Sequence, residues 1–177
     1  MQMTCLASSG IPLVQCSADG YSADVYLFGP IGNPEEYMSV VSLLSSSPEG
    51  ADIRLHINTD GGSLDTADML YTHIKNTAAN VVAHTYGLVA SAGTIIVAAC
   101  PSVRLSVGSK FLVHMPSTPA LEDLDERTAN AWTEANRAYI RRVYSNLLDD
   151  KQIVSATAGD DVFLPYSQLI KKFKGDV

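Results

Sequence analysis

The stretch from Asp52 to Asn58 alternates Ile53, Leu55 and Ile57 with Arg54, His56 and Asn58. A period of two puts the apolar set on one face, which predicts a strand half-buried in a sheet. "ADVYLFG" (Ala23–Gly29) predicts another strand, ended by "GPIGNP". The period then changes. In "PEEYMSVVSLLSSS", Tyr37, Val40, Val41 and Leu44 share one helical face. Pro34 suits the first turn, and Glu35 and Glu36 favour the positive end of the helix dipole. After "TDGG" breaks the chain, "SLDTADMLYTHIKNT" predicts a second helix, with Ser63 as its cap and Leu64, Ala67, Leu70 and Ile74 inward.

From Asn76 to Val103 there is no Asp, Glu, Lys or Arg, a length that could span a bilayer. The segment nevertheless divides into unlike halves. "NVVAHTYG" is β-branched and aromatic and ends at glycine; "SAGTIIVAAC" is small and apolar and ends at Pro101. A buried strand, a turn and a buried helix account for this better than a membrane span. "VRLSV" and "KFLVHMP" (Lys110–Pro116) predict two short strands. "LEDLDERTANAWTEANRAYIRRVYSNLLDD" predicts one long helix, with a break near its start, in which Trp132, Ala135, Tyr139, Val143 and Leu147 form the apolar stripe. "DVFLPYSQLIKKF" closes as a short strand and helix. Strands alternating with helices define an α/β protein with mainly parallel strands. No linker or repeat divides it: residues 1–22 are expected to be a loosely ordered N-terminal segment and residues 23–177 one domain.

Composition narrows the function. The 177 residues suffice for one core, and 46% of them are hydrophobic, which excludes wholesale disorder. The net charge of −7 argues against a nucleic-acid-binding surface. The one basic cluster, Lys171, Lys172 and Lys174, reads as a solvated tail. Cys5, Cys16 and Cys100 have no metal-type spacing, and an odd number argues against a disulfide framework, so a reducing compartment fits. The N-terminus lacks the basic start and apolar centre of a secretory signal.

Two glycine-bearing turns lead from a strand into a helix: "NTDGGS" (Asn58–Ser63) and "YGLVASAG" (Tyr86–Gly93). Such turns leave backbone N–H groups unsatisfied, and two side by side can hold the oxyanion of an acyl transfer. The glycines alone are a weak signal, and neither the phosphate-binding nor the dinucleotide pattern is present. Ser91, between two alanines, reads in isolation as a cap or packing residue. As a nucleophile it would need a base and an orienting group. His56 lies on the polar face of a strand, His73 among charged neighbours, and His84 in the strand leading to Ser91; each reads as structural or surface. His114 ends a strand just before Pro116, where sites collect in α/β sheets.

Taken together, these blocks resemble the ClpP-type serine peptidases, the proteolytic subunits of the Clp protease, which have a crotonase-like fold. "VYLFGPI" resembles the family's first core strand, and "LHINTDGGSLDTADMLYTHI" its glycine turn and following helix. "GLVASAGTIIVAAC" resembles the nucleophile turn, "FLVHMP" the strand carrying the catalytic histidine, and "DVFLPYSQL" the segment carrying the aspartate. The resemblance runs from about Ala23 to Val177. It implies a ββα superhelix with a long handle helix. It also implies a triad of Ser91 as nucleophile, His114 as general base and Asp161 as orienting acid, with Asp160 as the alternative one register away. The oxyanion donors it implies are the backbone N–H groups of Gly62 and Ala92. No cofactor or metal is implied. Partners would be polypeptide substrates, further copies in stacked rings (a tetradecamer in the family's usual form) and an AAA+ unfoldase. Neither nucleic acid nor membrane is expected. The location would be the cytoplasm, or the host cytoplasm for a phage-encoded protein.

The chain also departs from the family pattern. Thr59-Asp60 stands where the family has Ser-Pro, Met115 where it has glutamine, and "PSTPALED" lacks the usual glycine-rich segment. These changes suit a divergent or phage-encoded member, including a head-maturation protease that acts without an ATPase. Two further readings stay open: a catalytically silent ring subunit, and a crotonase-like acyl-CoA enzyme that uses the two turns without a serine nucleophile.

Overall fold

The computed structural model describes residues 11–116 and 125–173. Cys5, Lys174, most of "PSTPALED" and the expected start of the long helix lie outside them. The chain order is β1 (Leu13–Cys16), β2 (Ser22–Phe28), a 3₁₀ turn (Pro34–Tyr37), α1 (Met38–Ser46), β3 (Asp52–Thr59), α2 (Leu64–Asn76), β4 (Asn80–Ala90) and α3 (Ala92–Ala99). There follow β5 (Ser102–Leu105), β6 (Lys110–Val113), α4 (Glu126–Val143), α5 (Asp150–Ala158), β7 (Val162–Leu164) and α6 (Tyr166–Lys172).

The strands form one sheet in the order β1-β2-β3-β4-β6-β7, with β5 paired to β4. The interior pairs β2–β3, β3–β4, β4–β5 and β4–β6 are parallel, and β1 and β7 add antiparallel edges. On β3 the alternation works as expected: Ile53, Leu55 and Ile57 are buried in the core, while Arg54 and His56 lie half-buried on the other face. Leu70 and Ile74 of α2 and Ile95 and Ile96 of α3 join the same core. Ser63 caps α2 by accepting from the Thr66 N–H.

β4 positions the site. Its first half pairs with β5 from Val82 to Thr85, and its last residues pair with β6 from Leu88 to Ala90. Between the two, Gly87 takes φ 55° and the register against β3 shifts. The Asn58 amide spans the irregularity, donating to the carbonyls of Tyr86 (2.7 Å) and Leu88 (3.0 Å). The strand thus leaves β5 and delivers Ser91 beside β6, the strand that leads to His114.

Three sequence expectations change. Leu13–Cys16 forms a strand along β2, so the N-terminal segment is ordered there. The expected single long helix ends at Val143, and a separate helix starts at Asp150. Asp149 caps it by accepting from the Gln152 N–H, while the Gln152 side chain accepts from the Asp149 N–H. The buried stripe of α4 is Asn136, Ile140 and Val143. Tyr139 is partly buried, and Trp132 and Ala135 are exposed. Among the described residues, no helix is long and apolar enough to cross a membrane.

Candidate active site

Ser91 sits between β4 and α3, as the N-cap of the helix. Its φ is 51° and its ψ −123°, and it is the only non-glycine residue at positive φ among those described. A side chain held there is strained, and such strain persists only where the surroundings over-determine it. They do so here. The Ser91 N–H donates to the Leu112 carbonyl on β6 (2.9 Å), and the Ser91 carbonyl accepts from both the N–H (2.9 Å) and the Oγ1 (2.6 Å) of Thr94. The side chain caps nothing, so its Oγ is left for other chemistry.

Two neighbouring glycines are required by space. A Cβ on Gly61 would stand 2.6 Å from the Ser91 Cβ, and one on Gly62, at φ 145°, would collide with the Ile31 backbone. The reason is that the turn is tied to a short segment after β2: Ile31 donates to the Gly61 carbonyl and accepts from the Ser63 N–H. The Gly62 N–H donates to no described residue. Ala92, the first residue of α3, has by position no intrahelical acceptor for its N–H. The helix behind it is buried from Ala92 to Val97.

Ser91, Ala92, Gly62 and His114 border one cavity of about 390 Å³, whose other walls include Leu64, Ile95, Trp132, Ile140 and Tyr144. Asp161, just before β7, faces the histidine: its Oδ1 lies 3.7 Å from His114 Nδ1. That is beyond hydrogen-bond length, and both side chains are substantially exposed, 37% for His114 and 68% for Asp161. Among the described residues, neither the Ser91 Oγ nor a ring nitrogen of His114 makes a hydrogen bond. Asp160 points elsewhere, its carboxylate accepting from the Ser155 hydroxyl at the end of α5 (2.7 Å). Of the two neighbouring aspartates, Asp161 is therefore the one beside His114.

The other histidines lie apart from this cavity. His56 joins Asp24 (2.7 Å) and the Tyr86 hydroxyl (3.0 Å) on the outer sheet face, where Arg54 also holds Asp24. The His84 ring lies tilted against His56, with centroids 5.2 Å apart, and burial lowers its pKa. His73 contacts Ser45. No group of three or more His, Cys, Asp or Glu converges among the described residues as metal ligands would. The cavity walls from α4 and the turn after it were missed in the sequence. Its spacing puts Trp132 in a packing stripe, and nothing local marks Ile140 or Tyr144 as cavity residues.

The fold has a counterpart among solved structures. A solved structure of a ClpP1 mutant from Listeria monocytogenes superposes with a TM-score of 0.66 over 88% of each chain, at 22% identity, a likeness of fold. The Clp protease family model matches residues 23–151, and the chain belongs to that family. Among curated relatives, the ATP-dependent Clp protease proteolytic subunit 3 of Rhizobium johnstonii is 35% identical over 102 residues, 54% of this chain and 51% of that protein. The ATP-dependent Clp protease proteolytic subunit of Cyanophora paradoxa is 27% identical over 134 residues, 70% of this chain and 65% of that one. The chain spans about half the length of the first of these relatives. The family match includes Ser91 and His114 and stops before Asp161.

Proposed function

We propose that the chain is a serine endopeptidase, with Ser91 as nucleophile, His114 as general base and Asp161 as the acid that orients the imidazole. The observation that carries this reading is the strained Ser91 backbone. A capping or packing serine has no need of positive φ, whereas a nucleophile at a strand-to-helix turn gains an exposed Oγ from it.

With its Nδ1–H directed at Asp161, His114 has Nε2 as its basic nitrogen. Nε2 takes the Ser91 proton as Oγ attacks the peptide carbonyl, and returns it to the leaving amine. The carbonyl oxygen becomes an oxyanion held by the Gly62 and Ala92 N–H groups at the positive end of α3. Water then attacks the acyl-enzyme as Nε2 takes its proton, and Nε2 returns that proton to Ser91 Oγ as the ester bond breaks and the acid product leaves. The 3.7 Å gap between His114 and Asp161 must close for this, as catalytic contacts do between free and loaded enzymes.

Family membership supports polypeptide substrates and assembly into stacked rings, with an AAA+ unfoldase delivering substrate in the cytoplasm. A head-maturation protease that acts alone, and a silent ring subunit, are the alternatives to that setting. An acyl-CoA enzyme of the crotonase type would use the two N–H donors with no need of Ser91 or of its strain. The test is hydrolysis of an unfolded polypeptide such as reduced, alkylated casein, by the wild type and by Ser91→Ala. The account expects cleavage lost by a factor on the order of 10⁴ in the variant. Equal cleavage by both proteins would overturn it.

A further inference from the structure

Thr94 lies in the first turn of α3 and is fully buried. Its Oγ1 spends its proton on the Ser91 carbonyl (2.6 Å). It therefore accepts from the Tyr144 hydroxyl, which lies 2.7 Å away. Tyr144 is also buried, at 1% exposure, and follows directly on the last residue of α4. Its own N–H donates to the Ile140 carbonyl, and its carbonyl accepts from the N–H groups of Leu147 and Leu148. The ring is thus fixed by the α4 terminus, and its hydroxyl reaches across to the nucleophile turn.

We propose that Tyr144, acting through Thr94, is a positioning residue for Ser91: the chain Tyr144 Oη–H to Thr94 Oγ1–H to Ser91 C=O holds the strained turn in its reactive geometry and couples it to the end of α4. This rests on Ser91 being the nucleophile. The physical basis is the location of the restraint. At Ser91 the N–H side is held by β6, the strand that leads to His114. The carbonyl side is held by Thr94, and a hydroxyl that accepts one bond while donating another is polarised and donates more strongly. Releasing the outer bond lets the Ser91 peptide relax toward an unstrained conformation, which turns Oγ from the attack direction. An error of about 1 Å there can cost about a hundredfold in rate. Substrate binding in the cavity is not altered by the same change, because the tyrosine ring that walls it remains.

The experiment compares wild type, Tyr144→Phe, Thr94→Ser, Thr94→Val and the double variant Tyr144→Phe/Thr94→Val. The readouts are labelling of Ser91 by a fluorophosphonate, followed by peptide mass spectrometry, and kcat and KM on one fluorogenic peptide. Circular dichroism confirms that each variant is folded. Tyr144→Phe should lower the labelling rate and kcat about tenfold, the equivalent of one buried hydrogen bond, with KM unchanged. Thr94→Ser, which keeps the hydroxyl, should stay near wild type. Thr94→Val should lose more, and adding Tyr144→Phe to it should cost nothing further, because the tyrosine acts through the threonine. If Tyr144→Phe is unfolded, Thr94→Ser against Thr94→Val decides alone: equal rates for the two overturn the proposal. A folded Tyr144→Phe that labels at the wild-type rate, or losses that add independently in the double variant, would also overturn it while Ser91 remained the nucleophile. A wild type that takes no label at Ser91 removes the peptidase reading and this inference together.

Discussion

At the scale of single residues, the site depends on what small groups permit. Gly61 leaves room for the Ser91 side chain, so Gly61→Ala must move one of the two. We expect that variant to lose most activity and about 1–3 kcal/mol of stability, measured by denaturant unfolding beside a peptide assay. The two aspartates before β7 offer a sharper contrast. Asp161→Asn should cut kcat by orders of magnitude, whereas Asp160→Asn, which keeps an oxygen to accept from the Ser155 hydroxyl, should leave turnover near wild type. Equal losses from both would remove Asp161 from its role. Cys100 is buried, and burial pushes its thiol up to about 12, while Cys16 is exposed. Iodoacetamide on the native protein at neutral pH should therefore modify Cys16 and spare Cys100 until the chain unfolds. Ser91 and His114 were legible as candidates from turn chemistry and strand ends, and the roles proposed for them come from the family resemblance. The network behind them was not legible. A threonine in an apolar helix and a tyrosine fifty positions away carry no joint signal until the fold brings them together.

At the scale of elements, periodicity predicted most of the chain because most elements have one buried face and one wet face. β3 and α2 are the clearest cases, with Ile53, Leu55 and Ile57 on one and Ala67, Leu70 and Ile74 on the other. The pattern failed after Val143. Val143, Tyr144, Leu147 and Leu148 are all buried, and their spacing continues a helical stripe. The helix nevertheless ends at Val143, and Asp149 caps a separate one. The capping pair Asp149 and Gln152 was the available signal, and an apolar stripe running through it masked it. Asp149→Ala should cost about 1 kcal/mol in thermal or denaturant unfolding, while the conservative Asp149→Asn should cost much less. The four residues of β1 are too few to set a period, and its pairing to β2 supplies the order.

At the scale of the whole molecule, the sheet has one face covered by helices and one face built of polar and aromatic side chains. There, Asp24 is held well below the usual carboxylate range, first by the Arg54 guanidinium and then by His56. A depressed folded pKa gives stability that is present above the unfolded value and lost as pH falls through the folded one. Asp24→Asn should thus unfold more easily at pH 7, and the difference should narrow below about pH 4. Arg54 is 38% exposed, so solvent screening keeps the effect to roughly 0.5–1 kcal/mol. Assembly has its own probe. Trp132, the single tryptophan, is 43% exposed on α4 at the cavity rim. If α4 packs against another copy, dilution should shift its emission to the red as activity falls; an emission maximum independent of concentration would place the subunit contacts elsewhere.

The central claim is an activated serine at the head of α3. The most direct measurement is labelling with a fluorophosphonate, located by peptide mass spectrometry, on the wild type and on His114→Ala. The account predicts label on Ser91 in the wild type and its loss in the variant. An assembled wild type with no label, or label that persists without His114, would contradict it.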